Sequence, residues 1–219
     1  MSRRKLTRDT LFPYHVTARS NNRDWFYLPQ QQSWNIFTKY LRVVADRFGI
    51  EVLSFVLMSN HFHLMLATPL ANIDAVMRYL MTEVSREIGK RTGRINHVFG
   101  GRYKWSWLSD PEAVAYVFKY ICRNPVKAGI TERCEDYPFS TANRSGMKDI
   151  PLIERLDSVW RLIPRGKVER STWLNRPSAR EEEDLITKAI RRSHFAFSKD
   201  KKVQLRLAPL RASYLDFEV

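Results

Sequence analysis

Hydrophobic and polar positions along this chain repeat with two different periods, which predicts a mixture of strands and helices. Four short segments are apolar or alternate with β-branched and aromatic residues, as strands do. Three longer segments repeat apolar residues at the spacing of a helix face. The predicted strands cover residues 12–19, 51–58, 61–68 and 102–108. The predicted helices cover residues 30–48, 71–90 and 111–123.

The third helix is predicted to end near Arg123, because Pro125 disfavours helical geometry at Asn124. The resulting order is β-α-β-β-α-β followed by a helix. This order predicts an α+β fold of the ferredoxin-like type, in which an antiparallel sheet carries both helices on one face.

The chain is predicted to divide near residue 140. Residues 1–140 carry the ferredoxin-like pattern, whereas residues 141–219 are irregular and punctuated by prolines. A helix is predicted near residues 181–192, acidic at its start and basic at its end, and a basic tail follows it. We therefore expect one domain with a C-terminal extension.

His61 and His63 are candidate metal ligands, because residues two apart on a strand project from the same face. Two imidazoles with apolar neighbours on the other face form half of a metal site. The alternative is a pair of polar residues on the solvated face of an edge strand. The short motif alone does not decide between these interpretations.

The third helix carries Tyr116, Tyr120 and Asn124 at four-residue intervals, which puts Tyr120 and Asn124 one turn apart. A phenol has a pKa of about 10, so attack on a phosphodiester would need a divalent cation. Two histidines and an amide oxygen would leave open positions on such a cation. The alternative is that these aromatic side chains pack in the core.

Lys119, Arg123 and Lys127 form a basic row along the same helix, which suits contact with phosphates. The whole chain has a net charge of +14 over 219 residues, and such an excess predicts a polyanionic partner. No segment resembles a transmembrane span or a signal peptide, so nucleic acid is favoured over a membrane. We therefore expect a cytoplasmic, nucleoid-associated protein.

Four segments resemble, in order and spacing, the signature segments of the Y1 transposases. This family comprises the single-tyrosine members of the HUH superfamily of single-strand DNA nucleases, the IS200/IS605 type. The four segments are FPYHVTARSNNR (12–23), VLMSNHFHLMLATP (56–69), VFGGRYKW (98–105) and YICRNPVKAGI (120–130). The last resembles the branch called REP-associated tyrosine transposases. The resemblance identifies residues 1–140 as an HUH/Y1 nuclease domain with a ferredoxin-like fold.

The resemblance implies a role for each matching position. His61 and His63 fall on the histidine pair that binds Mg²⁺ or Mn²⁺, and Asn124 falls where relatives place a third ligand of amide type. Tyr120 falls on the nucleophile, with Tyr116 as its rival. The implied reaction is cleavage of single-stranded DNA at or near a hairpin through a 5′-phosphotyrosine, followed by rejoining of strands. His15 matches a family histidine, for which a structural role is the alternative.

The segment from Lys90 to Trp107 is a candidate DNA-binding surface. It has five basic residues and no acidic one, interleaved with aromatic residues that can stack on unpaired bases. The predicted contacts in this segment are Arg102, Tyr103, Lys104 and Trp105. An N-terminal arm of Arg3, Arg4 and Lys5 is predicted to add to them.

Two other functions are compatible with these residues. One is a non-catalytic hairpin-DNA-binding protein or regulator that retains the fold. The other is a metal phosphodiesterase that uses water as its nucleophile. A monomer with a site in one chain and a homodimer with a site built in trans both remain open.

Overall fold

The computed structural model describes residues 6–143, 150, 162–177, 179–197 and 199. The strands are β1 (Tyr14–Arg19), β2 (Glu51–Leu57), β3 (His61–Ala67) and β4 (Lys104–Trp107). The helices are α1 (Gln30–Phe48), α2 (Ile73–Thr92), α3 (Pro111–Lys127), α4 (Lys167–Asn175) and α5 (Arg180–Ile190).

The strands form one sheet in the order β2-β3-β1-β4. All three pairs of neighbouring strands are antiparallel. This arrangement confirms the predicted ferredoxin-like α+β fold. It places the paired strands β1 and β3 at the centre of the sheet, where both faces are covered.

The two faces of the sheet support two separate cores. Phe62, Leu64 and Leu66 of β3 pack on one side with buried residues of α1 and α2. Met65 points to the other side, where the core is built with residues of α3, α4 and α5. The alternation of side chains along each strand therefore directs His61 and His63 toward the α3 side.

Helix α3 continues to Lys127, and the predicted end near Arg123 is wrong. Proline has no backbone N–H, so Pro125 leaves the carbonyl of Ile121 without its usual helical partner. The side chain of Asn124 compensates, since its Nδ2 donates to the carbonyl of Tyr120 at 2.8 Å and to that of Ile121 at 3.4 Å. The helix thereby tolerates the proline and keeps Asn124 on the same rigid element as Tyr120.

The C-terminal part of the described chain packs directly on α3. The ring of Trp173 in α4 stacks on Phe118 of α3, with ring centroids 6.2 Å apart. The predicted helix near 181–192 is α5, which runs from Arg180 to Ile190. The predicted basic tail beyond residue 199 and the arm of Arg3, Arg4 and Lys5 lie outside the described residues. None of the helices described is long and apolar enough to cross a membrane.

Candidate active site

The site lies on the face of the sheet that α3 covers, across the central strands. Arg19 of β1 is the direct partner of His61, and Thr17 is the direct partner of His63. Thr17 is also the direct partner of Lys104 on β4. Because directly paired residues share a face, the two basic side chains lie on the same side as the two histidines.

The two predicted metal ligands lie side by side. The ring centroids of His61 and His63 are 5.1 Å apart, and the rings are nearly perpendicular. Burial, helped by the charge of Arg19, lowers the pKa of His61 to about 4. Burial also holds the pKa of His63 well below its usual value, with His15 and His61 adding to the effect. Both rings are therefore neutral near pH 7, which is the form that binds metals.

Tyr120 meets this pair from α3. Its ring centroid lies 5.7 Å from that of His63 and 6.4 Å from that of His15, with the rings close to perpendicular. Burial raises the pKa of Tyr120, although a hydrogen bond with Thr187 and the charge of Arg191 act in the opposite direction. The phenol is therefore protonated at rest; Thr187 of α5 favours its ionised form, whereas the charge of Glu183 on the same helix opposes it.

Tyr116, the rival tyrosine, is a core residue. Its side chain is buried, and its ring lies 6.3 Å from Phe195 and 5.4 Å from Phe197. Of the two tyrosines, Tyr120 is the one with ring contacts to His15 and His63.

Asn124 lies one turn beyond Tyr120 on α3. Its Nδ2 makes the two bonds to helix carbonyls described above, so the amide is oriented by the helix itself. Its Oδ1 takes part in neither bond and is the atom type that a hard cation prefers. Two neutral imidazoles and one amide oxygen fit a divalent cation with open positions. The described residues include no cluster of three or more His, Cys, Asp or Glu side chains that could hold a metal ion.

The predicted basic row on α3 is not a phosphate-binding surface in this structure. Lys119 is fully buried, and its Nζ lies 5.5 Å from the centre of the Trp173 ring. Arg123 is 9% exposed, and its Nη1 donates to the carbonyl of Leu174 at 3.0 Å. The prediction for these two residues is wrong, because helical spacing defines a face of α3 but does not reveal that α4 and α5 cover it.

Lys127 lies at the edge of the same face. Its Nζ pairs with Oε2 of Glu183 on α5 at 3.1 Å, and its side chain is 39% exposed. Nε of Arg123 lies 3.8 Å from Oε1 of the same glutamate. Glu183, at the acidic start of α5, therefore faces both basic side chains at the end of α3.

The predicted DNA-binding segment is divided between the two faces of the sheet. Arg102, Tyr103 and Trp105 line a groove of about 1310 Å³ beside α2. Lys104 is exposed and lies on the opposite face, in the row that contains His63. Basic residues of α2 also line the groove, namely Arg78, Arg86 and Lys90.

Tyr103 and Trp105 are only partly available to a ligand. Both are half-buried against the core that α1 and α2 share with the sheet. The Trp105 ring also meets Tyr14 edge-on, with centroids 6.4 Å apart. Each aromatic side chain thus packs on the core with one side and borders the groove with the other.

Three residues near the histidine pair were missed or left open by the sequence analysis. His15 is buried, and its Nε2 lies 2.8 Å from Nδ1 of His63. Asn60 was not singled out from the sequence, yet its Oδ1 lies 2.8 Å from Nδ1 of His61. Arg19 lies opposite His61 in β1. The alternation of residues 12–19 placed His15 and Arg19 on one face, but only the strand register shows that they flank the histidine pair.

The fold and the site define a class of proteins in which a ferredoxin-like sheet carries a pair of histidines and a helix presents a tyrosine to them. The family model described as "Transposase IS200 like" matches residues 10–124, more than half of the chain. This protein belongs to that family, the Y1 transposases.

Two relatives belong to the branch that the last signature segment resembles. A protein of Haemophilus influenzae, described as a REP-associated tyrosine transposase, is 24% identical over 127 residues, which cover 53% of this chain and 72% of the relative. A solved structure of a REP-associated tyrosine transposase bound to a REP hairpin has a TM-score of 0.57 and 19% identity. The match covers 73% of this chain and 93% of the chain in that structure. The two proteins therefore share a fold.

Proposed function

We propose that this protein is a divalent-metal-dependent endonuclease and strand transferase that acts on single-stranded DNA at or near hairpins. The observation that carries the proposal is the position of Tyr120, whose ring lies 5.7 Å from that of His63 on the adjacent strand. Metal-assisted attack on a phosphodiester requires a nucleophile and ligands for the cation. Here a tyrosine and an amide lie one turn apart on α3, and two neutral imidazoles lie on β3.

The first step is cleavage by Tyr120. Its phenolic oxygen bonds to the phosphorus of the scissile phosphate, and the bond from phosphorus to the 3′ oxygen breaks. The phenol gives up its proton and the leaving oxygen gains one, so that the products are a 5′-phosphotyrosine and a free 3′-OH. A cation bound by His61, His63 and Asn124 would polarise the phosphate and stabilise the charge that develops on it.

The second step reverses the first. A 3′-OH attacks the phosphotyrosine, Tyr120 leaves with a proton, and a phosphodiester is formed again. Each step breaks one phosphodiester bond and forms another, so no external energy is required. The strand end has to stay close to Tyr120 for this reversal, and the same residues would hold the cation that stabilises the shared transition state.

Hairpin DNA is the substrate class that charge and family relationships support. The net charge of +14 favours a polyanion, and a structure of a REP-associated relative contains a REP hairpin. Exposed Arg102 and Lys104 are proposed phosphate contacts, and Tyr103 and Trp105 are proposed stacking contacts at the groove. Arg19, opposite His61, is a further candidate for contact with the scissile phosphate.

The arrangement supports action by a single chain. Tyr120 and both histidines meet within one chain, which supports a site built in cis. A monomer is therefore the proposed active form, although a homodimer could carry two such sites. Because its substrate would be chromosomal DNA, we place the protein on the nucleoid in the cytoplasm.

The proposal is tested with a DNA hairpin that carries a single-stranded flank and a label at its 3′ end, which stays on the strand attached to Tyr120. With Mn²⁺ present, we expect a labelled adduct that resists denaturation, and Tyr120→Phe should abolish the adduct while hairpin binding in a gel-shift assay is retained. Tyr116→Phe is the matched control and should form the adduct, because Tyr116 lies in the core.

The other outcomes decide between the remaining functions. An adduct that persists in Tyr120→Phe would remove this residue from the nucleophile role. Cleavage without any adduct would favour a phosphodiesterase that uses water. Binding without cleavage, unaffected by a chelator, would favour a non-catalytic binding protein.

A further inference from the structure

The turn before β3 holds the first histidine through a chain of two hydrogen bonds. Nδ2 of Asn60 donates to the backbone carbonyl of Arg23 at 2.8 Å. Only the nitrogen of a carboxamide can donate to a carbonyl, so Oδ1 of Asn60 must face His61. That oxygen lies 2.8 Å from Nδ1 of His61 and can only accept a hydrogen bond. Nδ1 of His61 therefore carries the proton, and its Nε2 presents a lone pair.

The segment that Asn60 bonds to is itself attached to the turn by the backbone. The amide of Ser20 donates to the carbonyl of Asn60 at 2.8 Å, and the amide of Phe26 donates to the carbonyl of Ser59 at 3.1 Å. Arg23 has a φ of 62°, in the left-handed region that a non-glycine residue adopts only when its surroundings hold it there. The acceptor of the Asn60 amide is thus fixed before any ligand arrives.

The second histidine is held by a different contact. Nε2 of His15 lies 2.8 Å from Nδ1 of His63, and the two rings are nearly parallel, with an interplanar angle of 19°. Both side chains are buried in the middle of the sheet face. Because Nδ1 of His63 is engaged by His15, Nε2 is the remaining atom of His63 that can bind a cation.

The two contacts differ in one respect. Asn60 can only accept from His61, whereas two neutral imidazoles can share a hydrogen bond in either direction. If His63 donates, its Nε2 has a lone pair and can bind a cation. If His15 donates, Nε2 of His63 carries a proton and cannot bind one. The tautomer of His61 is therefore set in advance, and that of His63 depends on the direction of its bond with His15.

We infer that Asn60 and His15 are positioning residues: Asn60 holds His61 as the Nδ1–H tautomer, with its Nε2 available to the cation, and His15 orients the ring of His63 through Nδ1 and leaves Nε2 as the atom that can reach the cation. This inference rests on the proposed metal site, although its main observable is measured without metal. In metal sites, contacts of this kind commonly contribute about 10–100-fold in affinity. The pair would thus do more than pack the sheet: it would decide whether the histidines can act as ligands.

The first test is the tautomer of His61 in metal-free protein labelled with ¹⁵N in its histidine rings. Long-range ¹H–¹⁵N correlation spectra distinguish the two neutral tautomers, and His61→Gln identifies the signals of His61. We expect the wild-type protein to show His61 as Nδ1–H. Asn60→Ala should shift it toward Nε2–H, and Asn60→Asp, which keeps an acceptor, should restore Nδ1–H.

The second test is the affinity for Mn²⁺, measured by electron paramagnetic resonance. We expect Asn60→Ala and His15→Phe each to weaken binding about 10–100-fold. Asn35→Ala is the matched control, because Asn35 is an exposed asparagine on α1 that accepts a bond from Gln31, and its affinity should equal that of the wild type. His15→Gln, which keeps a polar atom for His63, should lose less affinity than His15→Phe.

The outcomes separate this inference from the proposed function. His61 as Nε2–H in the wild type, or an unchanged tautomer in Asn60→Ala, would overturn the role of Asn60. Equal Mn²⁺ affinity in His15→Phe and the wild type would overturn the role of His15. If the wild type bound no Mn²⁺ while His61 showed the expected tautomer, the proposed metal site would fail, and the role of Asn60 would be reduced to setting the tautomer.

Discussion

At the scale of single residues, burial sets the charge states at the site. It raises the pKa of Tyr120 and lowers the pKa of His61 and of His63, so all three side chains are neutral near pH 7. A neutral imidazole is ready to bind a cation, whereas a neutral phenol is a weak nucleophile. This division agrees with the proposed dependence of cleavage on a divalent cation.

Lys119, which lies away from the histidine pair, shows what it costs to bury a charged group. Burial, together with the charges of Arg123 and Arg176, lowers its pKa to about 7. Between about pH 7 and its ordinary pKa of 10.5, the unfolded chain binds a proton at this position that the folded protein does not bind. The free energy of unfolding therefore rises with pH in this window, and it falls as pH decreases toward 7.

We predict that Lys119→Met removes this pH dependence. At pH 6.5 the variant should be more stable than the wild type by about 1–3 kcal/mol, because an apolar side chain of similar size replaces a buried cation. The difference should shrink as the pH approaches 10. Urea unfolding of both proteins at pH 6.5, 8 and 9.5 measures it, and parallel pH profiles would contradict the burial of a shifted lysine.

At the scale of elements, α3 depends on one side chain to pass through a proline. The Asn124 amide bonds to the carbonyls of Tyr120 and Ile121, where Pro125 supplies no N–H. The same residue is the proposed third ligand. Its structural and proposed chemical roles use different atoms, since Nδ2 serves the helix and Oδ1 would serve the cation.

We predict that Asn124 and Pro125 are energetically coupled. Asn124→Ala should reduce the free energy of unfolding by about 1–2 kcal/mol, because the Ile121 carbonyl loses its partner. In a Pro125→Ala background the backbone N–H returns, so the same change should cost about 0.5–1.5 kcal/mol less. A double-mutant cycle in urea measures this coupling, and additive effects would show that the amide does not compensate for the proline.

At the scale of the whole molecule, only some of the basic side chains lie where a nucleic acid could contact them. Lys119 and Arg123 are covered by α4 and α5, and Lys127 is paired with Glu183. Arg102 and Lys104 remain exposed near β4. The net charge of +14 thus indicates the class of partner, whereas packing decides which cations can reach it.

We predict that these two groups of cations differ in the salt dependence of hairpin binding. Arg102→Gln should weaken binding and reduce the slope of log Kd against log salt by about one, as loss of a single phosphate contact does. Lys119→Met, measured below pH 7 where the lysine is charged, removes one positive charge from a buried position and should leave the slope unchanged. Fluorescence anisotropy with a labelled hairpin between about 50 and 300 mM salt, a roughly sixfold range in which counterion release is measurable, gives both slopes. Equal slopes for the two variants would contradict the assignment.

The local pattern of the chain predicted the fold and much of the site. Period-two alternation placed His61 and His63 on one strand face, and helical spacing placed Tyr120 and Asn124 one turn apart. These relationships depend on backbone geometry that any strand or helix shares. The predicted end of the third helix failed because a side-chain bond from Asn124 overrode the local preference near Pro125.

By itself, the sequence determined which residue types share a strand or helix face and what chemistry they could support. Only the tertiary structure decided what faces them: the register brings His15 to His63, the turn brings Asn60 to His61, and α5 covers the basic row of α3. The physical reason is that periodicity is local, whereas strand register and helix packing join residues far apart in the chain. Burial follows from those distant contacts, and with it the charge states on which the site depends.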